Sequence, residues 1–442
     1  MSREQLLLVS SLEKLRRRYG QAGLDRLTRS LERYRDCLSK RKIGLTAAFI
    51  DDGASITQFG LKPLKAITSA SAKNAIDHIV ARLSTSRDAG PDSARNTSPK
   101  TARDARREPP RTVTPRPSHD SNVSILILGG GEVIPYFRLS NPAFDSDSFV
   151  LSDNPYGCPG GIVSTEKCLL PERPVGRMPD GSGSDVHVLL TQIDTACEGA
   201  VWLSTHPLGR KKSSLGYTAA IWKRASREVW RDIGFTGNLK VCPPLSHVDV
   251  TAEWFGGKNF LYFNVHGSDT APYWFGQAGS SFPTALSPVN VNRLSHEKSM
   301  IVTEACYGAI EMDRNRDTSI SLAFLSSGSA CVVGSTCTAY GALAPPVSEA
   351  DLIALNFFRN VHKGMAFGKA LTGARAQLAA LAVSRQGYLD EDDKKTLLQF
   401  VLFGDPTVSI LPISPGSGED AKDTRPNRGL RKDRASKSFK KE

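Results

Sequence analysis

Residues 259–269 read NFLYFNVHGSD, and residues 299–308 read SMIVTEACYG. Both stretches begin with a short apolar run, which is typical of a strand buried inside a parallel sheet. The first run ends in His266 and Gly267, and Cys306 follows the second. A polar ring at the end of a buried strand contributes little to packing and is well placed for chemistry. These two strand ends therefore define both the expected fold and the candidate site.

Apolar runs alternate with helical patterns through the rest of the body of the chain. Further strand-like runs begin at Val123, Ala200, Lys240 and Ala330. Helical apolar spacing is present in residues 184–196, 216–233, 319–327, 349–361, 365–381 and 391–403. This alternation predicts an α/β fold with a mostly parallel sheet and helices on both faces. In such folds ligands bind beyond the carboxyl ends of the strands, where His266 and Cys306 fall.

A small α+β unit is expected at the N-terminus, in residues 1–83. Residues 4–40 have leucines at helical spacing, and Gly20 and Gly23 divide them into two predicted helices. A predicted strand and turn begin at Gly44, and a helix is predicted for residues 71–83. These elements lie before the main alternation and form a separate predicted unit.

Two further segments have compositions that cannot form a core. Residues 84–121 hold six prolines and eight basic residues with few apolar side chains, so a disordered basic linker is predicted. Residues 414–442 are rich in Gly, Ser and charge and predict a disordered basic tail. The folded body is accordingly expected to span residues 122–413.

The net charge of +12 lies in the appendages and not in the body. Residues 1–42, 84–121 and 414–442 carry +7, +3 and +4, which leaves the rest slightly negative. Basic arms can bind nucleic acid or acidic proteins, but a solvated arm explains the charge equally well, so nucleic acid is not favoured as a partner. Residues 129–134, GGGEVI, lack the last glycine of a dinucleotide-binding motif, so no nucleotide site is expected.

The sequence also bears on location and on metal binding. No apolar run approaches the length of a membrane span, and residues 1–20 lack the apolar core and cleavage site of a secretory signal. The eight cysteines are spread along the chain without a tight framework, which suits a reducing cytoplasm. No C-x-x-C pair is present, so no zinc site is expected. We therefore predict a cytoplasmic protein with no membrane partner and no metal site.

Cys306 and His266 form a candidate nucleophile and base. A lone cysteine is more often a small buried hydrophobe, as is expected for Cys331 in mid-strand. Cys306 differs because it follows a strand. The neutral imidazole of His266 can accept a thiol proton and return it to a leaving amine. Gly267 places no side chain beside the reacting centre, so a backbone N–H can approach a substrate oxygen.

The pattern strand-His-Gly, followed by strand-[Glu/Asp/Gln]-Ala-Cys-x-Gly, resembles the caspase-like cysteine peptidases, and most closely the gingipain-type branch. Segments 125–139, 151–157, 170–179 and 403–412 are similar to gingipain motifs in the same order. The resemblance covers roughly residues 123–412. It implies a caspase-like three-layer α/β/α fold in which Cys306 is the nucleophile, His266 is the acid/base, and the N–H groups of Gly267 and Cys306 bind the oxyanion. No cofactor is implied, and a structural or activating Ca²⁺ ion is left open.

The resemblance is less complete at the residues that set specificity. Gingipains place an acid near the histidine and, where they cut after arginine, an aspartate before the next helix. The matching residues here, 205–212 and 213–217, contain no acid. Three other acids and one aromatic side chain are candidates for a pocket that binds a basic side chain. They are Glu304, which could equally be a packing or capping residue, together with Asp153, Asp269 and the expected pocket wall Tyr340.

The sequence thus predicts a prokaryotic-type cysteine endopeptidase that cleaves proteins after Arg, and less surely Lys, in exposed loops. The Arg-rich segments predict a zymogen that an upstream protease activates, within an intracellular cascade of the anti-phage or CRISPR-linked kind. The predicted activation positions are Arg103, Arg106, Arg107, Arg111, Arg314 and Arg316. Two alternatives are a catalytically silent scaffold that binds nucleic acid or a partner through the basic N-terminal region, and a transpeptidase or ligase using the same dyad. Tyr217, Trp222 and Trp230 are expected to share one helix and to pack in the core.

Overall fold

The computed structural model describes residues 4–85, 122–161, 163–198, 200–204, 214–233, 238–293 and 298–413. The strands in this part of the chain are β1 (Gln5–Ser10), β2 (Gly44–Phe49), β3 (Val123–Leu128), β4 (Phe137–Ser140), β5 (Phe149–Ser152), β6 (Val175–Met178), β7 (Ala200–Ser204), β8 (Ser214–Ala219), β9 (Leu239–Cys242), β10 (Phe260–Asn264), β11 (Trp274–Phe275), β12 (Thr284–Leu286), β13 (Met300–Thr303), β14 (Cys331–Ser335), β15 (Phe400–Gly404) and β16 (Ser409–Ile413). The helices are α1 (Leu12–Lys40), α2 (Gly53–Ile56), α3 (Ser69–Thr85), α4 (Asn154–Gly157), α5 (His187–Cys197), α6 (Lys223–Ile233), α7 (Ala252–Phe255), α8 (Pro288–Asn292), α9 (Ile320–Ser326), α10 (Glu349–His362), α11 (Phe367–Gln386) and α12 (Glu391–Gln399).

One ten-stranded sheet organises the protein, with the strand order β2-β1-β3-β6-β15-β14-β13-β10-β8-β9. Neighbouring strands are parallel except β14 and β15, which are antiparallel. Alternate side chains of the central strands pack against helices on opposite faces, as the strand period requires. In β13, Val302 joins the cluster formed with α10 and α11, and Ile301 joins the cluster that contains Phe324 of α9. The predicted three-layer α/β/α fold is confirmed.

The N-terminal residues belong to this sheet and do not form a separate unit. Strand β1 lies between β2 and β3 and pairs with both in parallel. Leu6, Leu7 and Leu8 are fully buried, so residues 5–10 form a strand where a helix was predicted. A short apolar run beside a long amphipathic helix has no periodicity of its own, which explains the wrong prediction. The predicted boundary between residues 1–83 and the body is therefore not a boundary in the core.

The predicted division of the first long helical segment at Gly20 is present in the structure, because α1 consists of two helices that meet at a kink where Gly20 has φ 65° and ψ −179°. Two other sequence-based assignments change in the structure. Residues 216–233 divide into β8, a 3₁₀ turn at 220–222 and α6. Residues 391–403 divide into α12 and β15. The predicted linker, apart from its first two residues, and the predicted tail lie outside the described residues.

The pairing of β10 with β13 places the two candidate residues side by side. Phe260 pairs with Met300, and Phe263 pairs with Thr303. His266 and Cys306 each lie three residues beyond this last pair. Because the strands are parallel, both side chains are presented at the same carboxyl edge of the sheet.

The position of β1 makes a testable prediction about the first 83 residues. A chain of residues 122–442 should be insoluble or unfolded, because it exposes the edge of the fully buried strand β3 and loses the burial of four β1 side chains, each worth about 1.5–3 kcal/mol. Co-expression of residues 1–90 should restore soluble yield, and a chain that ends at residue 413 is the control truncation. A soluble, cooperatively unfolding 122–442 chain would contradict this prediction.

Candidate active site

Cys306 and Gly267 are in direct backbone contact at the carboxyl edge of the sheet. A Cβ atom added at Gly267 would lie 1.9 Å from the carbonyl oxygen of Cys306, so no other residue fits at position 267 without moving the backbone. The Cys306 sulfur accepts a hydrogen bond from the Ala339 amide at 3.3 Å. Burial raises the pKa of the Cys306 thiol, and this amide offsets part of the increase. The candidate nucleophile is therefore a thiol in the resting protein.

His266 is held by its backbone, by aromatic rings and by one polar side chain. Its backbone N–H and C=O both pair with Phe275, at 2.8 and 2.9 Å. The imidazole lies 4.2 Å from the indole of Trp222, measured between ring centroids. Its Nε2 atom lies 2.8 Å from Oε1 of Gln277. Burial lowers the pKa of His266, and the Gln277 hydrogen bond opposes that effect.

Sequence reasoning missed both Gln277 and Trp222. Trp222 was expected in the core on one helix with Tyr217 and Trp230, but it lies in the 3₁₀ turn that follows β8, whereas Tyr217 is on β8 and Trp230 is on α6. Gln277 follows β11, in a hairpin whose return to the histidine depends on the isolated pairing of His266 with Phe275. No short-range motif in the sequence indicates such a contact.

The backbone amides of Gly267 and Cys306 are candidates for an oxyanion hole. Within the described part of the chain, the N–H of Gly267 donates to no carbonyl or side-chain acceptor, and the N–H of Cys306 is directed only at its own sulfur. Free amide donors next to a nucleophile are suited to the charge that develops on a carbonyl oxygen under attack.

A narrow cleft opens beside Cys306, and Glu304, one member of a buried acidic pair, lies in its wall. Its lining includes Trp222, Glu304, Cys306 and Tyr340, and its volume is about 20 Å³. Glu304 is buried, accepts a hydrogen bond from the Tyr262 hydroxyl at 2.8 Å, and is hydrogen-bonded to Asp351. Burial and the neighbouring Asp351 charge raise the pKa of Glu304 well above its usual range.

Asp351 is the second member of this pair. Burial raises the pKa of Asp351 to about 6, against a hydrogen bond from the Ala342 amide at 2.8 Å. Two carboxyl groups this close cannot both ionise without a cation, so the pair shares one proton at neutral pH.

The model of peptidase family C25 matches residues 103–411, which is more than half of the chain. The chain belongs to peptidase family C25. It is therefore a cysteine peptidase of the caspase-like class, as the resemblance in its sequence predicted. A search of curated protein sequences found no match.

Solved structures of gingipains share the fold of this C25 peptidase. The crystal structure of the Arg-specific cysteine proteinase gingipain R (RgpB) has a TM-score of 0.53 at 16% identity, covering 92% of this chain and 78% of that one. The complex of the Porphyromonas gingivalis RgpB pro- and mature domains has a TM-score of 0.55 at 14% identity, covering 92% and 79%. The structural likeness thus extends well beyond the residues 123–412 that carry the sequence motifs.

The prediction that Asp153 contributes to the substrate pocket is wrong. Asp153 is buried and forms a two-pronged ion pair with Arg177, with its oxygens 2.6 and 2.9 Å from the guanidinium nitrogens. Arg177 also donates to the carbonyls of Gly129 and Ile134 and lies over the Tyr136 ring. The Asp153 charge is therefore paired with Arg177, and through Arg177 it connects the loops that follow β3 and β5.

Asp269 lies apart from the cleft that contains Glu304 and Tyr340. It is exposed and lines a separate open groove of about 770 Å³, of which Tyr307 is another wall. Its backbone carbonyl accepts a hydrogen bond from Arg314. Of the predicted pocket residues, the structure thus brings Glu304 and Tyr340 to the cleft beside Cys306 and places Asp153 and Asp269 elsewhere.

A buried lysine fixes the loops on both sides of the nucleophile. Lys395 of α12 binds Asp145 and Asp147, and its ammonium group is fully buried. Asp147 accepts from the Tyr307 hydroxyl and the Thr338 amide, and Asp145 accepts from the Tyr340 hydroxyl. Burial alone would raise the pKa of Asp145, but hydrogen bonds from Lys395 and Tyr340 lower it to about 2. This cluster positions the residue after Cys306 and the wall of the cleft.

Arg314 is held at both its side chain and its carbonyl. Its guanidinium donates to the carbonyls of Asp269, Ala271 and Thr318, and its own carbonyl accepts from the Ser182 amide at 2.5 Å. Cleavage at Arg314 would have to break these hydrogen bonds and stays a prediction. Arg316 is partly exposed and its carbonyl accepts from Asn292, so its cleavage stays a prediction. The four linker positions, Arg103, Arg106, Arg107 and Arg111, lie outside the described residues.

Two further features of the described residues concern membranes and metals. No helix among the described residues has both the length and the apolar content of a membrane span. In the same residues, no three His, Cys, Asp or Glu side chains converge as metal ligands.

The Asp153–Arg177 pair predicts the result of one substitution. Asp153→Ala should lower the free energy of unfolding by about 3–5 kcal/mol, because it removes the carboxylate that forms the ion pair with the buried Arg177 charge. The KM of surviving folded enzyme for a basic substrate should be unchanged. Thermal unfolding and kinetics measure the two effects, and Asp269→Ala is the exposed control, with an expected change within ±0.5 kcal/mol. A stable Asp153→Ala protein with a raised KM would restore Asp153 to the pocket.

Proposed function

We propose that this C25 peptidase is an endopeptidase that uses Cys306 as the nucleophile and His266 as the acid and base. The observation that carries the proposal is the register of β10 and β13. His266 and Cys306 each lie three residues beyond the same strand pair, and Gly267 contacts the Cys306 backbone. Thiol, imidazole and free amide donors at one sheet edge are the groups that acyl transfer needs.

The neutral resting state of both side chains determines how the reaction begins. His266 takes the proton from Cys306 as the sulfur attacks the scissile carbonyl, and the amides of Gly267 and Cys306 stabilise the oxyanion. The imidazolium then returns its proton to the leaving amine, and water hydrolyses the acyl-enzyme with His266 as the base. Because burial disfavours both charged forms, we expect proton transfer to accompany attack and not to precede it.

We further propose that Glu304 and Asp351 select a basic residue on the acyl side of the cleaved bond. The pair holds at most one negative charge at rest and has no cation among its described partners. A guanidinium or ammonium group would displace the shared proton and bind both carboxylates. The cleft volume of about 20 Å³ is too small for an arginine side chain, so Trp222 or Tyr340, both half-buried, must move to admit it.

A panel of fluorogenic substrates with Arg, Lys, Asp, Asn or Leu before the scissile bond tests both proposals. Cys306→Ala should abolish turnover of every substrate. Wild type should prefer Arg, and Glu304→Gln should lower kcat/KM for Arg roughly tenfold to hundredfold, the cost of one charge-assisted hydrogen bond, while sparing Leu. The KM for Arg should fall as the pH rises through about 6, because Asp351 must ionise to bind the cation.

Three outcomes of the panel would contradict parts of the proposal. Turnover that persists in Cys306→Ala would exclude this nucleophile. Preference for Asp or Asn would keep the enzyme and exclude the acidic pocket. An equal loss for Arg and Leu in Glu304→Gln would show that Glu304 supports the fold and not specificity. Asp269→Asn, an exposed acid outside the cleft, is the matched control.

We also propose that the enzyme is made as a zymogen that an upstream protease cuts in the Arg-rich segment at positions 103–111, inside the cell. The composition of that segment supports this proposal. The intact mass of the enzyme before and after it gains activity should show a cut between residues 103 and 111. A fully active enzyme with one uncut chain would refute the zymogen.

A further inference from the structure

Gln277 is fixed in place independently of the histidine that it touches. Its backbone N–H donates to the Cys242 carbonyl at 3.3 Å, and its carbonyl accepts from the Ile221 amide at 3.1 Å. These bonds tie it to the end of β9 and to the 3₁₀ turn that carries Trp222. Gln277 is therefore anchored from two sides while its side chain faces His266.

The orientation of the Gln277 amide follows from its second contact. Its Nε2 group lies 3.1 Å from the Gly279 carbonyl oxygen, which can only accept a hydrogen bond. The amide nitrogen must therefore face Gly279, and the oxygen Oε1 must face His266. An oxygen that only accepts, 2.8 Å from the histidine Nε2, requires a proton on that Nε2. In the neutral ring the lone pair is then on Nδ1.

We propose that Gln277 is the positioning residue of this site: its side-chain oxygen holds His266 with the proton on Nε2 and leaves Nδ1 as the basic nitrogen. The proposal rests on the proposed role of His266 as the base. A histidine in the other tautomer would present an N–H where a proton acceptor is required. Gln277 thus acts through His266 and does not touch the substrate.

The neutrality of the amide distinguishes it from a carboxylate in the same place. A carboxylate would stabilise the imidazolium and shift His266 toward its charged form. Among the described residues no charged side chain adds to or opposes the Gln277 effect at His266. The aromatic rings of Trp222 and Phe282 pack against the imidazole and carry no charge. The amide therefore fixes the tautomer without charging the ring.

The first test is a histidine NMR titration of full-length Cys306→Ala protein, which requires no catalysis. We expect His266 to be the Nε2–H tautomer with a pKa below the ordinary value for histidine. Adding Gln277→Glu should raise the pKa of His266 above that ordinary value and keep the tautomer, whereas Gln277→Ala should give a mixture of both tautomers. An Nδ1–H ring in the parent protein, or a tautomer unchanged by Gln277→Ala, would overturn the proposal.

The second test measures the pH profile of kcat/KM in the protein with Cys306 intact. Gln277→Ala should lower kcat tenfold to hundredfold at unchanged KM. Gln277→Glu should retain most activity at pH 8 and lose it at a higher pH on acidification than wild type does. Ser280→Ala, an exposed change in the same hairpin, is the matched control.

These outcomes separate a positioning role from a structural one. A fall in kcat that follows a fall in Tm, with no change in tautomer, would show that Gln277 only anchors the hairpin. Should Gln277→Ala not fold, the isosteric Gln277→Glu still decides, because an unchanged His266 pKa would refute the proposal. If no variant has activity but the NMR results hold, the proposed peptidase mechanism fails and the positioning contact stands.

Discussion

The parallel pairing of β10 with β13 is the constraint on which the rest of the site depends. Both strands are fully buried, so their register is fixed by packing on two faces. A slip of one residue would turn every side chain to the opposite face and separate the histidine from the cysteine. The close approach of Gly267 to the Cys306 carbonyl is a second constraint on the relative position of the two strand ends, because only a residue without Cβ allows it. The two proposed reacting groups are thus positioned by core packing.

Charge balance separates the acids that hold the fold from those suited to a ligand. Asp153 is neutralised by Arg177, and Asp145 and Asp147 share the single positive charge of Lys395. Glu304 and Asp351 are buried as deeply, yet their described partners are a hydroxyl, two backbone amides and each other. A buried acid pair costs free energy unless it retains a proton or gains a cation. Of these three acidic clusters, the Glu304–Asp351 pair reaches the cleft through Glu304, and a basic substrate would supply the positive charge that this pair lacks.

The sequence predicted the elements that local patterns determine. Apolar runs located β3, β10, β13 and β14, and the strand ends indicated His266, Gly267 and Cys306. The features that the sequence did not predict depend on pairing between residues that are far apart in the chain. The run at residues 6–9 is a strand because β2 and β3 pair with it on either side. Asp153 was wrongly assigned to the pocket because its ion-pair partner, Arg177, lies 24 residues away in the sequence and could not be recognised there. Gln277 contacts His266 because the hairpin that follows β11 folds back onto the histidine, and no local pattern of apolar residues predicts such a contact.

A neutral site makes the orientation of the base more important than its charge. In a preformed thiolate–imidazolium pair the proton has already moved, and the histidine needs only to remain charged. Here burial raises the pKa of the thiol and lowers that of the imidazole, so the pair rests uncharged. In the proposed mechanism the proton must then move during attack, to a nitrogen that already has a free lone pair. A ring in the wrong tautomer would have to exchange its proton with water in a site lined by Trp222 and Phe282. An amide that holds one tautomer without adding charge meets this requirement, and a carboxylate would meet it only by changing the resting charge of the ring.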